Sequence, residues 1–255
     1  MLQLKAPRFT LRTFMLGLTA VCIVGCYYVQ RSTKQRAATQ WVESVGGDVV
    51  YDHAIIAPQF LRNSFGVDYF STVVGVHIWK PDLPLVDLSQ LVQFGNLRFV
   101  ELEMSESDDS DFTVLESLHE VRRLVISSPA LDDLSFLRNW SKLQSIEIGH
   151  SQIKSIESLS HLKGLEQLNI RSEIEDTAPL ANLTALRYVG LTTKDFDVAD
   201  FKSLKHVEEI YLEVPESRFS IPECEELERN FPTTTIIVIS GRVVWTSKYQ
   251  DLPAE

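Results

Sequence analysis

Cysteine is scarce in this chain, with three in 255 residues. Cys22 and Cys26 lie in one apolar stretch near the start, and Cys224 stands alone near the other end. This spacing matches neither a disulfide framework nor a structural zinc site. The cysteines therefore exclude both as the basis of the fold, and they do not indicate a compartment.

The chain also lacks the short motifs of common catalytic and nucleotide sites. It contains no G-x-S-x-G elbow, no P-loop, no G-x-G-x-x-G and no H-E-x-x-H. The six histidines are scattered without a metal-ligand spacing, and the acidic run SESDDSD at 105–111 lacks the glycine and terminal glutamate of an EF-hand loop. We expect no catalytic residue, no cofactor and no metal, and we expect the acidic run to be a solvated loop. The alternative is an enzyme or accessory domain whose site would need a pocket with convergent polar groups.

Positive charge is sparse beyond residue 36. Residues 1–36 carry six basic residues and no acidic ones, whereas the other 219 residues hold 18 basic and 35 acidic residues, a net charge of −17. A body this acidic is repelled by a phosphate backbone. The charge therefore argues against a nucleic-acid partner.

One long run is free of charge, the 18-residue stretch TFMLGLTAVCIVGCYYVQ at 13–30. A helix of that length spans ~27 Å at ~1.5 Å per residue, close to the ~30 Å hydrocarbon core of a bilayer. Tyr27 and Tyr28 stand near one end, where aromatic side chains occupy the membrane interface. The run predicts a single membrane-spanning anchor through residues 13–30.

Two alternatives to an anchor stay open. A cleaved signal peptide shares the basic start and the apolar run, but no A-x-A cleavage site follows. The tetrapeptide ending at Cys26 resembles a bacterial lipobox, in which the cysteine is lipidated, although the apolar run continues past it. Three basic residues flank each side of the run, so orientation is weakly determined; the acidic body favours its placement on the non-cytoplasmic side.

A repeat runs through the rest of the chain. Apolar residues recur at positions 0, +3 and +5 of seven units, and the distances between successive units are 24, 24, 22, 22, 21 and 21 residues. The units begin at Val73, Leu97, Val121, Leu143, Leu165, Leu186 and Val207. Alternation at +3 and +5 is typical of a half-buried strand, and later apolar residues spaced by three are typical of a returning helical or 3₁₀ turn. The pattern predicts a solenoid of about seven parallel strands that share one core.

This pattern resembles the leucine-rich repeat family, and PLANLTALRYVGL at 179–191 is similar to its short 22-residue, internalin-like class. The RFTLRT start, the anchor, GGDVVYD at 46–52 and the repeats also resemble uncharacterised bacterial membrane-anchored leucine-rich repeat proteins. The resemblance implies an α/β solenoid, and it is almost silent on chemistry. The sequence departs from the family at +8, where the usual asparagine or cysteine is missing.

Both ends of the repeat region carry features of a cap. A helix around Ala38–Val45 that ends at Gly46-Gly47, followed by the strand-like 49–55, is expected to close the first end. A capping box at Ser220–Glu223 followed by a hairpin around Gly241-Arg242 is expected to close the second. The predicted organisation is an anchor at 1–36, an N-terminal cap at 37–72, repeats at 73–217 and a C-terminal cap at 218–255.

The residues at +2, +4 and +6 are predicted to point away from the core, on the concave face of the solenoid. Exposed aromatic residues with nearby arginines are typical anchors of protein interfaces. The candidate binding face consists of Trp79, Phe99, Arg123, Arg171, Tyr188 and Tyr211. We expect Trp79 to neighbour Phe99, and Tyr188 to neighbour Tyr211. The sequence thus favours a membrane-anchored, non-enzymatic protein that binds a protein or peptide ligand, with a structural envelope protein that associates with itself as the alternative.

Overall fold

The structure is a computed structural model, and it describes residues 11–52, 59–79, 86–104, 110–194, 196–204 and 206–247. These residues form one ten-stranded sheet whose strands follow one another in chain order. The strands are β1 Asp48–Tyr51, β2 Val73–Trp79, β3 Phe99–Glu103, β4 Arg123–Ser127, β5 Ser145–Gly149, β6 Gln167–Ile174, β7 Tyr188–Thr193, β8 Glu209–Glu213, β9 Thr235–Ser240 and β10 Val243–Thr246. The helices are α1 Leu11–Ser44, α2 Gln59–Phe65, α3 Val198–Phe201 and α4 Ile221–Asn230.

The repeat units stack in register from β2 to β8. Val76 lies opposite Val100 and Ile146 lies opposite Leu168, so each +3 residue pairs with the +3 residue of the next unit. These side chains are at most 1% exposed. No unit could bury this set alone, and stacking joins the units into one hydrophobic core. The predicted solenoid of parallel strands is confirmed.

The parallel stack contains one strand more than the sequence predicted. β9 pairs in parallel with β8, and Ile236 lies opposite Ile210. Ile236 and Val238 stand at +3 and +5 of a further unit that begins at Thr233, so a search for an apolar residue at position 0 misses it. The predicted hairpin is also present, because β10 returns antiparallel to β9 through Gly241, which has a φ of 56°.

Short 3₁₀ helices carry the chain back across the core, as the spacing by three indicated. They span Leu88–Gln93, Phe112–Ser117, Ser135–Asn139, Glu157–Leu159 and Ala178–Asn182, and α3 occupies the next position. Aspartates start several of them: Asp87 accepts a hydrogen bond from the Ser89 backbone N–H at 3.2 Å. The acidic run predicted as a loop lies mostly at 105–109, outside the described residues.

Buried hydroxyl groups occupy the turns where the family asparagine is missing. Ser128, Ser172 and Thr193 are at most 6% exposed. They stand at +7 of their units, one residue before the +8 position of the family asparagine. The Thr193 hydroxyl donates to the Ile174 carbonyl at 2.9 Å, and that of Ser172 donates to the Ser151 carbonyl at 3.2 Å. Each of these two bonds thus joins a turn carbonyl to a hydroxyl group of the next unit.

The first end of the stack is closed by α1 and β1. The helix ends in a Schellman motif, in which Gly46 has a φ of 83° and the Gly47 N–H donates to the Val42 carbonyl at 2.9 Å. β1 then pairs antiparallel with β2; the continuation predicted for the strand, at 53–55, lies outside the described residues. α1 is continuous across residue 36, the predicted boundary between anchor and cap.

The second end is closed by α4 and the hairpin. α4 begins directly after Ser220 with Pro222 in its first turn, as predicted. The Ser220 side chain makes no capping hydrogen bond, so the expected capping box does not form.

Candidate binding face

The side of the sheet opposite the core carries the +2, +4 and +6 residues, and we call it the open face. In β3 the core residues Val100 and Leu102 are fully buried, whereas Phe99, Glu101 and Glu103 between them are partly exposed. The two-residue period of the strand produces this alternation. The predicted direction of these side chains is therefore present in the structure.

An aromatic cluster occupies the open face at β2 and β3. The His77 ring lies 4.6 Å from the Phe99 ring and 5.3 Å from the Trp79 ring. The Arg123 guanidinium carbon lies 5.6 Å from the Phe99 centroid, a cation–π distance. The His77 imidazole Nδ1 also lies 2.9 Å from Glu101 Oε2. Trp79 and Phe99 therefore meet around His77, and Arg123 joins the cluster through Phe99.

The cluster is joined differently from the arrangement the sequence suggested. Trp79 lies opposite Glu103, and Phe99 lies opposite Gly75. His77 connects the two aromatic rings, although it is not among the six residues of the predicted binding face. His77 stands at +4, between Trp79 at +6 of the same unit and Phe99 at +2 of the next unit. This position is the sequence signal that could have placed His77 in the binding face. A Cβ on Gly75 would lie 3.1 Å from the Phe99 ring, so glycine gives the ring its space.

A second cluster lies on the open face at β6 to β8. Arg171, Tyr188 and Tyr211 line an open cavity of about 390 Å³ together with Asn169 and Glu213. Tyr188 lies opposite Glu209, and Tyr211 lies opposite Gly190. The two tyrosines thus share one cavity without being paired across the strands.

Gly190 leaves space beside the Tyr188 side chain, and burial changes the pKa of the Tyr188 hydroxyl group. A Cβ on Gly190 would lie 3.0 Å from the Tyr188 hydroxyl oxygen and 2.9 Å from Asn169 Oδ1, so a larger residue would displace both side chains. Burial raises the pKa of Tyr188, and the negative charge of Glu209 raises it further. The phenol therefore stays protonated at neutral pH and can donate a hydrogen bond to a ligand.

Arg171 lies between two cavities. It also lines a cavity of about 360 Å³ on the neighbouring strands, with Val125, Ser127, Glu147 and His150. Its side chain is exposed and forms no ion pair with a carboxylate in the part of the chain that the structure describes. The Arg171 guanidinium is thus open to an incoming acceptor.

The middle of the open face is polar and self-paired. The Ser145 hydroxyl donates to Gln167 Oε1 at 3.0 Å, and the Asn169 amide lies 3.5 Å from Glu147 Oε1. Within the described ranges, no three histidine, cysteine, aspartate or glutamate side chains are grouped so that they could hold a metal ion.

The units of β2 to β6 therefore each combine a parallel strand with a 3₁₀ return over 21 to 24 residues, and the unit of β7 returns through α3. The leucine and isoleucine positions are buried. The fold is a leucine-rich repeat solenoid. No family model and no curated protein matches the chain.

Among solved structures, the chain is similar to leucine-rich repeat proteins. An internalin of Listeria monocytogenes is 23% identical over 61% of this chain and 44% of its own, with a TM-score of 0.46. Internalin C2 of the same species is 17% identical over 69% of this chain and 82% of its own, with a TM-score of 0.47. A leucine-rich repeat protein of Leptospira interrogans is 14% identical over 58% of this chain and 44% of its own, with a TM-score of 0.46. The chain spans less than half of the first and third of these proteins.

The leucine-rich repeat sheet sets the distance between the two clusters. The first is centred on β3 and the second on β7, four strand spacings apart. At ~4.8 Å per spacing this is ~19 Å. The face thus presents two anchoring points with a polar strip between them.

Proposed function

We propose that the chain is a membrane-anchored, non-enzymatic leucine-rich repeat protein that binds a protein or peptide partner on its open face. The observation that carries the proposal is the convergence of Tyr188, Tyr211 and the exposed Arg171 around one cavity. Tyrosine, tryptophan and arginine are the residues most enriched among energetic hot spots of interfaces. An arginine between two cavities offers a bidentate donor to a carboxylate or carbonyl group of the partner.

The separation of the two clusters indicates the form of the partner. An extended chain advances ~3.3 Å per residue, so ~19 Å corresponds to roughly six residues. A partner that presents an extended segment or a flat surface of that length could contact Trp79 at one end and the tyrosines at the other. A small molecule could occupy one cluster only.

Helix α1 supplies the proposed anchor. It is the one helix in the described part of the chain that is long and apolar enough to cross a membrane. Its large apolar residues from Leu11 to Val29 are exposed, and several, such as Leu11, Leu16 and Val21, exceed two thirds exposed. Exposed apolar surface of this extent, on a helix long enough to cross a bilayer, supports a membrane anchor. We place the acidic body on the non-cytoplasmic side.

The test is capture of partners by the full-length protein from its native membranes. Wild type is compared with Trp79→Ala/Tyr188→Ala/Tyr211→Ala, which removes aromatic anchors from both clusters. The matched control, Val92→Ala/Ile221→Ala, truncates exposed apolar side chains outside the open face. We expect wild type and control to retain the same protein and the triple variant to lose it, with unchanged circular dichroism. Equal capture by all three proteins would show that the open face is not the binding surface.

A further inference from the structure

Helix α1 lies alongside β2 and runs in the same direction. Near its middle, Arg31 Nη2 donates to Thr72 Oγ1 at 2.6 Å, just before β2 begins. Its C-terminal end leads into β1, whose Asp48 lies opposite His77 near the end of β2. The part of α1 before Arg31 therefore projects beyond the edge of the sheet at which the parallel strands begin.

We call that side the proximal edge, defined as positions −2 to +1 of each unit, and the opposite side the distal edge, defined as positions +7 to +12. The apolar run ends at Gln30, and the first buried residue of α1 is Ser32, at 6% exposure. No linker separates the run from the body. If residues 13–30 span a membrane, the proximal edge faces that membrane at the level of its headgroups.

The proximal edge is continuous and basic. The backbone N–H of Arg122 donates to the Arg98 carbonyl at 2.8 Å, and the same bond recurs from unit to unit up to Glu208. Among the described residues of this edge, the cations are Arg98, Arg122, Lys142, Lys163 and Arg187, and the carboxylates are Glu120, Glu166 and Glu208. Glu120 pairs with Lys142 at 2.6 Å and Glu208 with Arg187 at 3.2 Å, which leaves Arg98, Arg122 and Lys163 against the single carboxylate of Glu166.

The distal edge has the opposite charge. Its described carboxylates are Asp132, Asp133, Glu173, Glu175, Asp176, Asp197 and Glu216, and its described cations are Lys154, Lys194 and Arg218. In a body with a net charge of −17, the described residues of the proximal edge, five cations and three carboxylates, thus sum to +2, whereas those of the distal edge, three cations and seven carboxylates, sum to −4.

A cavity of about 320 Å³ lies where α1 meets the proximal edge. Its walls include Tyr27, Arg31 and Lys34 from α1 and Gln93, Gly95 and Asn96 from the first return turn. It is lined by two cations, several amide groups and no carboxylate. Lys34 stands ~6 Å beyond the end of the apolar run, at ~1.5 Å per residue, within the ~5–8 Å headgroup layer of a bilayer. A phosphate group is the anionic group found at that depth.

We infer that the proximal edge of the solenoid docks on anionic phospholipid headgroups, with the cavity at Arg31 and Lys34 as its first contact. The inference rests on the proposed membrane anchor. Basic side chains near an anionic bilayer attract it, whereas the acidic distal edge is repelled and faces away. The solenoid then lies along the membrane with its open face accessible from the side.

The test uses the full-length protein in lipid nanodiscs, with Cys22 and Cys26 replaced by serine and Cys224 kept, because it is 1% exposed. A fluorophore is placed at Gln144→Cys on the proximal edge or at Lys154→Cys on the distal edge of the same unit. Quenching by headgroup nitroxide lipids is measured in phosphatidylcholine alone and in phosphatidylcholine with phosphatidylglycerol. We expect strong quenching at residue 144, increased by phosphatidylglycerol, and little at residue 154 in either lipid.

Variants that remove basic residues test whether charge causes the proximal edge to dock on the anionic bilayer. Arg98→Gln/Arg122→Gln should weaken the preference of residue 144 for the anionic surface roughly tenfold or more, at ~1 kcal/mol per cation. Lys154→Gln/Lys194→Gln removes the same charge from the distal edge and should leave quenching unchanged. Equal quenching at both edges, or no dependence on phosphatidylglycerol, would overturn the inference. Flotation with pure phosphatidylcholine vesicles tests the anchor separately, and failure to float would overturn both proposals at once.

Discussion

Gln35 is the residue that fixes α1 to the first repeat. It is 4% exposed, and its amide Nε2 donates to Asp68 Oδ1 at 3.1 Å and to the Ser71 carbonyl at 3.0 Å. Its Oε1 accepts the Val73 N–H at 3.2 Å. One side chain thus satisfies groups in both the cap loop and the first strand of the stack.

Replacement of Gln35 by alanine should therefore destabilise the body. It would leave the buried Val73 N–H without its acceptor, at a cost of ~1–3 kcal/mol. Urea unfolding of the full chain in detergent, followed by tryptophan fluorescence, measures the change. Gln40→Ala is the control, because Gln40 lies on the exposed side of the same helix. Equal effects of both variants would show that the three bonds do not matter to stability.

Tyr51 makes the stability of the folded protein depend on pH in the alkaline range. Its hydroxyl donates to Asp68 Oδ1 at 2.9 Å, and burial, reinforced by the charge of Asp68, raises the pKa of Tyr51 from 10.0 to about 12. The folded state holds the phenol proton more tightly than the unfolded state. The resulting stability is fully present below pH ~10 and is lost as pH rises through ~12.

The corresponding prediction compares wild type with Tyr51→Phe at pH ~9 and pH ~12. Because the Tyr51 side chain is only partly buried, the contribution is discounted to ~1 kcal/mol. Wild type should lose that much more unfolding free energy than the variant between the two pH values, since lysine titration affects both proteins alike. Parallel losses in the two proteins would contradict the role assigned to the Tyr51 proton.

At the scale of single elements, β9 is the clearest addition to the solenoid. Ile236 is fully buried and continues the ladder from Ile210, whereas Ile237, on the same strand, points to the open face opposite Tyr211. Ile236→Ala should lower the unfolding free energy by ~2–5 kcal/mol because it opens a cavity in the core. Ile237→Ala removes the same atoms from the other face and should cost clearly less. If the two variants were equally stable, β9 would not be a rung of the stack.

The elements also show how far the sequence could predict the fold. Repeated apolar residues at Leu143, Ile146 and Ile148 require a strand with one buried side, so the stack followed from periodicity alone. β9 was missed because Thr233 stands where other units have an apolar residue. The turn hydroxyls were missed because serine and threonine are common on surfaces, and their burial depends on neighbouring units.

The candidate face was predicted only in outline. Strand alternation placed Trp79 and Tyr188 on the open face, but the pairing of Phe99 with His77 depends on side-chain directions across the sheet. The unpaired state of Arg171 was not predictable either, since glutamates stand on the same face and only geometry decides which of them an arginine reaches. The local sequence pattern thus predicts which side chains lie on the open face. Which of these side chains contact one another depends on the packing between units.

At the scale of the whole molecule, one continuous helix couples two sources of orientation. α1 holds the proximal edge toward the membrane by rigidity, and the basic residues of that edge hold it there by charge. The two contributions are separable. Inserting one alanine after Gln30 turns the body by about 100° around the helix axis, yet keeps the same edge toward the bilayer.

Insertion of a short glycine-serine linker at the same point breaks the helix and leaves charge alone to orient the body. With the probe at Gln144→Cys, the alanine insertion should preserve quenching in both lipid compositions. The linker variant should lose quenching in phosphatidylcholine and regain it when phosphatidylglycerol is present, and that gain should vanish at high salt because the attraction is screened. Full quenching of the linker variant in neutral lipid would mean that neither helix rigidity nor charge orients the solenoid, and that the proximal edge binds the bilayer by another contact.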